Sequence, residues 1–418
     1  MAAHRPPPPP EPLRIAMIGT RGVPAAYGGF ETAVEEIGSR LAGRGHDVTV
    51  YCRHAADTAE HEYAGMHLVH LPALPLKTAE TLSHTALSVA HVAMHAHHPD
   101  AAFVFNAANA PFVPFLHARG VPVAVHVDGL EWQRDKWHGA GRAYYRWAEQ
   151  SAVRNADALI ADAQGIADYY ASEFGASTRL IAYGAPVQLK PVSDRLEELG
   201  LMWKGYHLVV ARFEPENHVD LIVAGYERSA ARRPLVVVGA APYAGEYTAR
   251  VRSEAHDDPR VRLLGAMYDQ DLLDQLYAGA LTYEHGHSVG GTNPSLLRAM
   301  GAGTAVLAWN VPFNREVAGD RARYFGDPGS LAALIDATEH DPDRALRDGD
   351  ALREVVRTNY RWDDVAVAYE ALAMELKAGV STRARHRHRV AEHPVAAVGP
   401  RSRSQLPDSR SGIEGRLR

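Results

Sequence analysis

Apolar residues along this chain gather into short runs of strand length, and between the runs they recur at helical spacing. The runs cover residues 13–20, 46–53, 66–74, 100–107, 121–128, 157–163 and 177–184, then 207–213, 234–240, 261–267, 279–285, 304–310 and 322–326. Strands rich in Val, Ile and Ala, separated by helices, predict parallel sheets covered on both faces. Thirteen strands are too many for one ordinary sheet. The stretch "PVQLKPVSDRLEELGLMWKGY" (186–206) divides them into two groups. The predicted fold is therefore α/β: two doubly wound, Rossmann-like domains facing a cleft, over residues 13–190 and 205–345. Helical patterns follow at 346–358 and 363–377, the second opening on aspartates and stopping at Gly379. In open α/β sheets ligands sit at the carboxyl ends of strands, so loops of both domains should line the cleft.

Two of those loops carry chemistry. "IGTRGVPAAYGGFET" (18–32) joins a strand to a helix through four glycines, a proline and Arg21. Such a loop at a helix N-terminus presents amides to an anion. It is not a dinucleotide fingerprint: Gly19-Thr20-Arg21-Gly22 lacks G-x-G, and Cys52 and Arg53 stand where the second strand should end in an acid. The Walker pattern is absent too. In the second half, "GHSVGGTNP" (286–294) again joins a strand to a helix, with Pro294 at the preferred first helical position. Gly290, Gly291, Thr292 and Asn293 thus offer amides and a hydroxyl at a second anion site. Arg212 follows a strand in "VVARFEPEN". Two amide-rich loops and arginines facing one cleft suggest a diphosphate between the domains.

Charge and cysteine content narrow the setting. Residues 381–418 hold nine arginines and three acids, a surplus of +6; the whole chain is −6, which leaves −12 for residues 1–380. An acidic body argues against a nucleic-acid-binding core. The basic segment reads as a disordered tail, and its charge suits peripheral contact with anionic headgroups at the inner membrane face. Residues 1–12, "MAAHRPPPPPEP", read as a disordered proline-rich leader without the apolar core of a signal peptide. The single cysteine, Cys52, excludes internal disulfides and, with no signal, favours the cytoplasm.

The segments "IGTRGVPAAYGGFET", "VDGLEWQRDKW", "VVARFEPEN", "HGHSVGGTNPSLLRAMG" and "PFNREV" together resemble the bacterial rhamnosyltransferase-type branch of the retaining, family-four-like GT-B glycosyltransferases, over roughly residues 13–375. The resemblance implies a nucleotide-diphosphate sugar as donor, a glycan or lipid-linked acceptor, no metal and no other cofactor. It also implies that the C-terminal helices, 346–378, cross back to the first domain. Carried over by position, Gly28 and Gly29 let the donor phosphates approach, beside Arg21. Arg212 holds the diphosphate, Gly291, Thr292 and Asn293 form the loop at the sugar and phosphates, and Glu316 faces the donor. Asp128, after the fifth strand, stands among acceptor-handling residues; with Arg212 it is a catalytic candidate. Relatives commonly read "LLEAM", with a glutamate that accepts bonds from the ribose hydroxyls. Here Arg298 occupies that position, and arginine only donates. It would instead reach a phosphate or pair with an acid such as Glu284.

Other features have plainer readings. His91, His95, His97 and His98 end a helix, where the helix dipole favours histidine, and His46 reads as structural. "WQRDKWHGAGRAYYRWAEQ" (132–150) interleaves aromatics with arginines; a lipid or glycan contact and ordinary helix packing suit it equally. Two alternatives to glycosyl transfer remain open on the residues: a sugar-nucleotide epimerase, and a non-catalytic binding protein of the same fold, to which Arg298 lends support.

Overall fold

The computed structural model describes residues 11–25, 28–53, 60–76, 79–127, 129–134, 137–188, 194–240, 245–256 and 258–383. Residues 1–10 of the leader and nearly all of the basic tail lie outside them, as does Asp128. The first sheet is built from β1 (Arg14–Ile18), β2 (Asp47–Arg53), β3 (Glu62–Tyr63), β4 (Met66–Leu71), β5 (Ala101–Phe105), β6 (Val123–His126), β7 (Ala158–Ala161) and β8 (Arg179–Leu180). Its order is β3-β4-β2-β1-β5-β6-β7-β8, parallel except where β3 meets β4. Helices α1 (Gly29–Gly43), α2 (Glu80–Met94), α3 (Val113–His117), α4 (Ala140–Asn155) and α5 (Gln164–Phe174) accompany it. The short antiparallel β3 has no counterpart among the predicted strands, because two residues carry too little pattern to be read.

The second sheet runs β11 (Val261–Gly265), β10 (Leu235–Val238), β9 (His207–Val210), β12 (Thr282–His285), β13 (Ala305–Trp309) and β14 (Arg323–Phe325), all parallel. Around it lie α6 (Val219–Glu227), α7 (Gly245–His256), α8 (Gln270–Gly279), α9 (Pro294–Gly301), α10 (Pro312–Ala318), α11 (Pro328–His340) and α12 (Pro342–Asn359). Four of these helices open on proline, whose missing N–H costs nothing in a first turn. Asn293, Asp327 and Asp341 cap three of them through side-chain oxygens. The central strands are buried along their length: "LVVV" of β10 and "TYEH" of β12 have no exposed residue.

The last helix, α13 (Trp362–Lys377), returns to the first domain and packs on α1 and β5. Glu370 fastens it there, accepting from Arg44 at 2.6 Å and meeting His46 Nε2 at 2.8 Å. Tyr369 is buried against Phe103, with its hydroxyl 2.8 Å from His126 Nδ1. Burial drives the His126 pKa down to about 3, so the ring is neutral. Helix α12 instead packs on α9 and β13 of the second sheet. Of the segment 346–378 expected to cross back, only α13 does so. No helix of the described residues is long and apolar enough to cross a membrane.

Candidate active site

Each sheet reverses its winding at one place, between β1 and β5 in the first and between β9 and β12 in the second. Loops leaving such a switch point diverge and open a crevice. The loops concerned are 19–28 after β1, 211–218 after β9 and 286–293 after β12. The first and third carry the two anion sites read from the sequence, and the second carries Arg212.

The β1 loop is folded by its glycines. Gly19 and Gly22 hold φ of +104° and +103°, and a side chain on Gly22 would stand 2.7 Å from the Cα of Cys52. Arg21 points to Glu80 at 3.4 Å, and Arg53 meets the same carboxylate at 2.8 Å. The backbone N–H of Arg21 donates to Glu31, whose pKa is raised by burial. Gly28, at φ +112°, precedes α1. Gly29 faces the other domain: a Cβ there would lie 2.9 Å from Pro294 Cγ.

On the opposite side, Arg212 is partly buried, and its guanidinium makes no hydrogen bond or ion pair among the described residues. Its carbonyl accepts from Asn217, whose own oxygen meets His287 Nδ1 at 2.7 Å. The His287 pKa is driven well down by burial, with His285, Arg134 and Arg212 adding to the effect. Burial thus keeps the His285 and His287 rings neutral on the loop floor, beside Arg212 and Arg134. His218 stacks on Trp309 at 4.1 Å and meets the Gly286 carbonyl at 2.7 Å. Asn293 accepts from the Ser295 N–H at 2.9 Å and starts α9.

The two domains touch directly through these loops. The Thr292 hydroxyl donates to the Asp162 carbonyl at 2.6 Å, and a Cβ on Gly291 would stand 2.8 Å from Asp162 Cγ. A Cβ on Gly129 would fall onto Gly290 Cα. Glu316 accepts from the backbone N–H groups of Gln164, at 2.5 Å, and Gly165, at 3.1 Å. A carboxylate of the second domain thereby caps α5 of the first. Arg134 lies 2.6 Å from Glu131 and 3.6 Å from Glu216 across the boundary. Glu216 is buried, and neither of its carboxylate oxygens accepts a hydrogen bond among the described residues.

The structure therefore brings Gly29, Gly291, Thr292 and Glu316 into contact across the boundary between the domains, with Gly28 and Asn293 next to them in the chain and Arg212 near His287 of the β12 loop. Arg21 stays with Glu80 in the first domain. Arg298 points onto α8: it donates to Asp274 at 2.7 Å and Gln270 at 2.8 Å, and lies over the Tyr277 ring. The acid it pairs with is Asp274, not Glu284, which is buried and accepts from the Leu208 N–H at 3.0 Å. Sequence reading passed over Gly129 and Asp162, and it took Arg134 only as one of the arginines in the aromatic stretch 132–150. Asp162 directly follows β7, so the strand-end rule could have singled it out.

Residues 13–186 match a family model described as a domain of unknown function (DUF1972), and residues 204–340 match one described as glycosyl transferases group 1. The second domain is thus similar in sequence to glycosyltransferase domains of that group. O-antigen chain mannosyltransferase B of Escherichia coli is 28% identical over 154 residues, 36% of this chain and 39% of that protein. The match spans well under half the length of that relative. Among solved structures, sucrose-phosphate synthase from Thermosynechococcus elongatus superimposes with a TM-score of 0.75 at 22% identity, covering 87% of this chain and 99% of that one. HepE of Anabaena, solved in complex with UDP-glucose, superimposes with a TM-score of 0.71 at 17% identity, covering 87% of this chain and 100% of its own. The architecture of the chain is the GT-B fold that these proteins share.

Proposed function

We propose that the protein transfers a hexose or deoxyhexose such as rhamnose from a nucleotide-diphosphate donor to a glycan or lipid-linked acceptor, with retention at the anomeric carbon. One observation carries the reading: a partly buried arginine with no hydrogen bond or ion pair among the described residues, Arg212, lies near His287 in the loop that leads into α9. A cation left unpaired at a helix N-terminus suits a doubly charged leaving group. HepE, similar in fold, was solved with UDP-glucose and with UDP, and the Escherichia coli relative is a mannosyltransferase. Both support a nucleotide sugar as donor.

In this reading the second domain binds the nucleotide diphosphate and the first receives the acceptor. Negative charge builds on the bridging oxygen as the glycosidic bond breaks. Amides of residues 290–293 and the Arg212 guanidinium stabilise that charge without reorganising. The leaving diphosphate can then take the acceptor proton on the same face, which yields retention and needs no strong protein base. The test is a thermal-shift screen with nucleotide diphosphates, since a ligand of the folded state raises stability. Turnover in EDTA follows, with the product anomer read by NMR. Binding by none of them, an inverted anomer, or activity abolished by EDTA and restored by a divalent ion would each refute the assignment.

A further inference from the structure

His287, in the β12 loop, is built to accept one hydrogen bond. Its ring is held by Asn217, a buried residue of the loop that carries Arg212. The Asn217 amide has one orientation. Its Nδ2 donates to the Arg212 carbonyl at 2.7 Å, so Oδ1 is the atom that meets His287 Nδ1 at 2.7 Å. The reverse amide would set two oxygens 2.7 Å apart. An amide oxygen only accepts, so Nδ1 carries the ring proton. Burial drives the ring's pKa well down, and His285, Arg134, Arg212 and His218 push it the same way. The ring is therefore neutral, and Nε2 is left as a bare lone pair.

The place of that lone pair is defined. Nε2 has no hydrogen-bond partner among the described residues, and the residue is partly exposed. A Cβ on Gly290 would lie 3.3 Å from Nε2. Gly290 is also where the first domain arrives, since a Cβ on Gly129 would fall onto its Cα. The backbone around the ring is tied down. The His287 carbonyl accepts from Asn314 Nδ2 at 2.9 Å, and the same amide donates to the Trp309 carbonyl at 2.9 Å. Ser288 donates to the Glu216 carbonyl through its N–H and its hydroxyl, each at 3.0 Å. The acceptor is thus set in direction before any ligand arrives.

The chemistry of its partner follows by elimination. An ionised phosphate offers only acceptor oxygens, which a lone pair repels. An ammonium group would meet Arg134 and Arg212. What remains is an uncharged hydroxyl. We propose that His287 Nε2 accepts a hydrogen bond from a hydroxyl of the sugar being transferred, and so selects donors whose sugar bears that hydroxyl. The inference rests on the transfer reaction proposed above. A nucleoside bound in the second domain stays there, whereas the sugar must meet the acceptor at the first domain, and Nε2 stands at that boundary.

Two variants separate this role from a structural one. In His287→Asn the shorter amide keeps an N–H near the Nδ1 position, hence the tie to Asn217, and places no acceptor at Nε2. In His287→Gln the amide reaches the Nε2 position. Each is titrated calorimetrically with UDP, GDP and dTDP, and with UDP-glucose, GDP-mannose and dTDP-rhamnose, beside a thermal melt. For the nucleotide sugar that binds wild type best, His287→Asn should lower affinity about three- to tenfold, the net worth of one neutral hydrogen bond. Its parent nucleotide diphosphate should bind as it does to wild type, and His287→Gln should recover most of the loss. Nitrogen NMR of the histidine-labelled free chain should show the Nδ1–H form for the signal that His287→Asn removes. The proposal is overturned if that ring is charged or carries its proton on Nε2. It is overturned if nucleotide sugar and diphosphate weaken equally, which makes His287 a ribose contact or a loop support, or if neither weakens. In those cases the diphosphates still bind and the transfer reading stands; if no nucleotide binds wild type, both fall together.

Discussion

Replacing Gly129 by alanine should separate the two domains without unfolding either. The added Cβ would fall onto Gly290 Cα and stand 2.9 Å from its carbonyl carbon and 3.0 Å from the Gly291 nitrogen. Carbon contacts are most favourable at about 3.5–4.0 Å, so the loops must part by about 1 Å. The obstacle is backbone on both sides and has no rotamer to turn. Gly129 is not held at positive φ, so alanine itself fits its conformation. Loss of unfolded-chain entropy even favours alanine by about 0.4–1 kcal/mol. The melting temperature should therefore hold, while groups that must converge on donor and acceptor are displaced. A misplacement of about 1 Å can cost about 100-fold in rate, so kcat/KM should fall by about 10- to 100-fold. The assay is donor turnover beside a thermal melt. Gly326→Ala serves as control, since a Cβ there meets nothing within 4 Å. If Gly129→Ala turns over as wild type, the loops do not close on each other during catalysis, and the reasoning fails.

Arg212→Ala should weaken nucleotide-diphosphate binding by about 1.5–3 kcal/mol, the range for bonds to charged groups; an unchanged calorimetric Kd would remove Arg212 from the site. Glu316→Ala removes the cap on α5 and should cost about 0.5–2 kcal/mol of stability; a loss of nucleotide affinity without a lower melting temperature would make it a donor contact instead. Arg298→Glu sets two acids together where Arg298 now pairs with Asp274, costing about 0.2–1 kcal/mol at this half-exposed position. The same change supplies an acceptor for ribose hydroxyls, worth about 1–3 kcal/mol in nucleotide binding; weaker binding by titration would show that the arginine is itself a donor contact. His207, hydrogen-bonded to Glu339 together with the Arg232 and Arg233 amides, helps hold the Glu339 pKa down to about 2 against the opposing effect of burial. Its contribution to stability is present above the unfolded value of 4.5 and lost as pH falls from there towards 2. Urea midpoints should therefore drop more between pH 5 and pH 3 in wild type than in Glu339→Gln, and equal drops would refute the linkage.

Sequence by itself determined the parts whose physics is local. Thirteen apolar runs became strands; the central ones, such as β5, β6 and β10, are buried at every residue, and a buried parallel strand needs continuous apolar residues. Pro294 and Asn293 marked the start of α9 because capping involves only neighbouring residues. The three loops were legible too, since glycines and a lone arginine after a strand carry their meaning in place. Tertiary structure alone decided what those loops face. Gly29 and Gly291 read as making room for a phosphate, yet each also makes room for the other domain, at Pro294 and Asp162. Glu316 read as facing the donor, and it caps a helix 151 residues earlier in the chain. Arg298 turned to Asp274 on a neighbouring helix rather than to Glu284. A side chain's partner depends on which surfaces the packing of distant elements brings within about 3 Å, the reach of a hydrogen bond. That distance is a property of the assembled domains, and no spacing along one segment contains it.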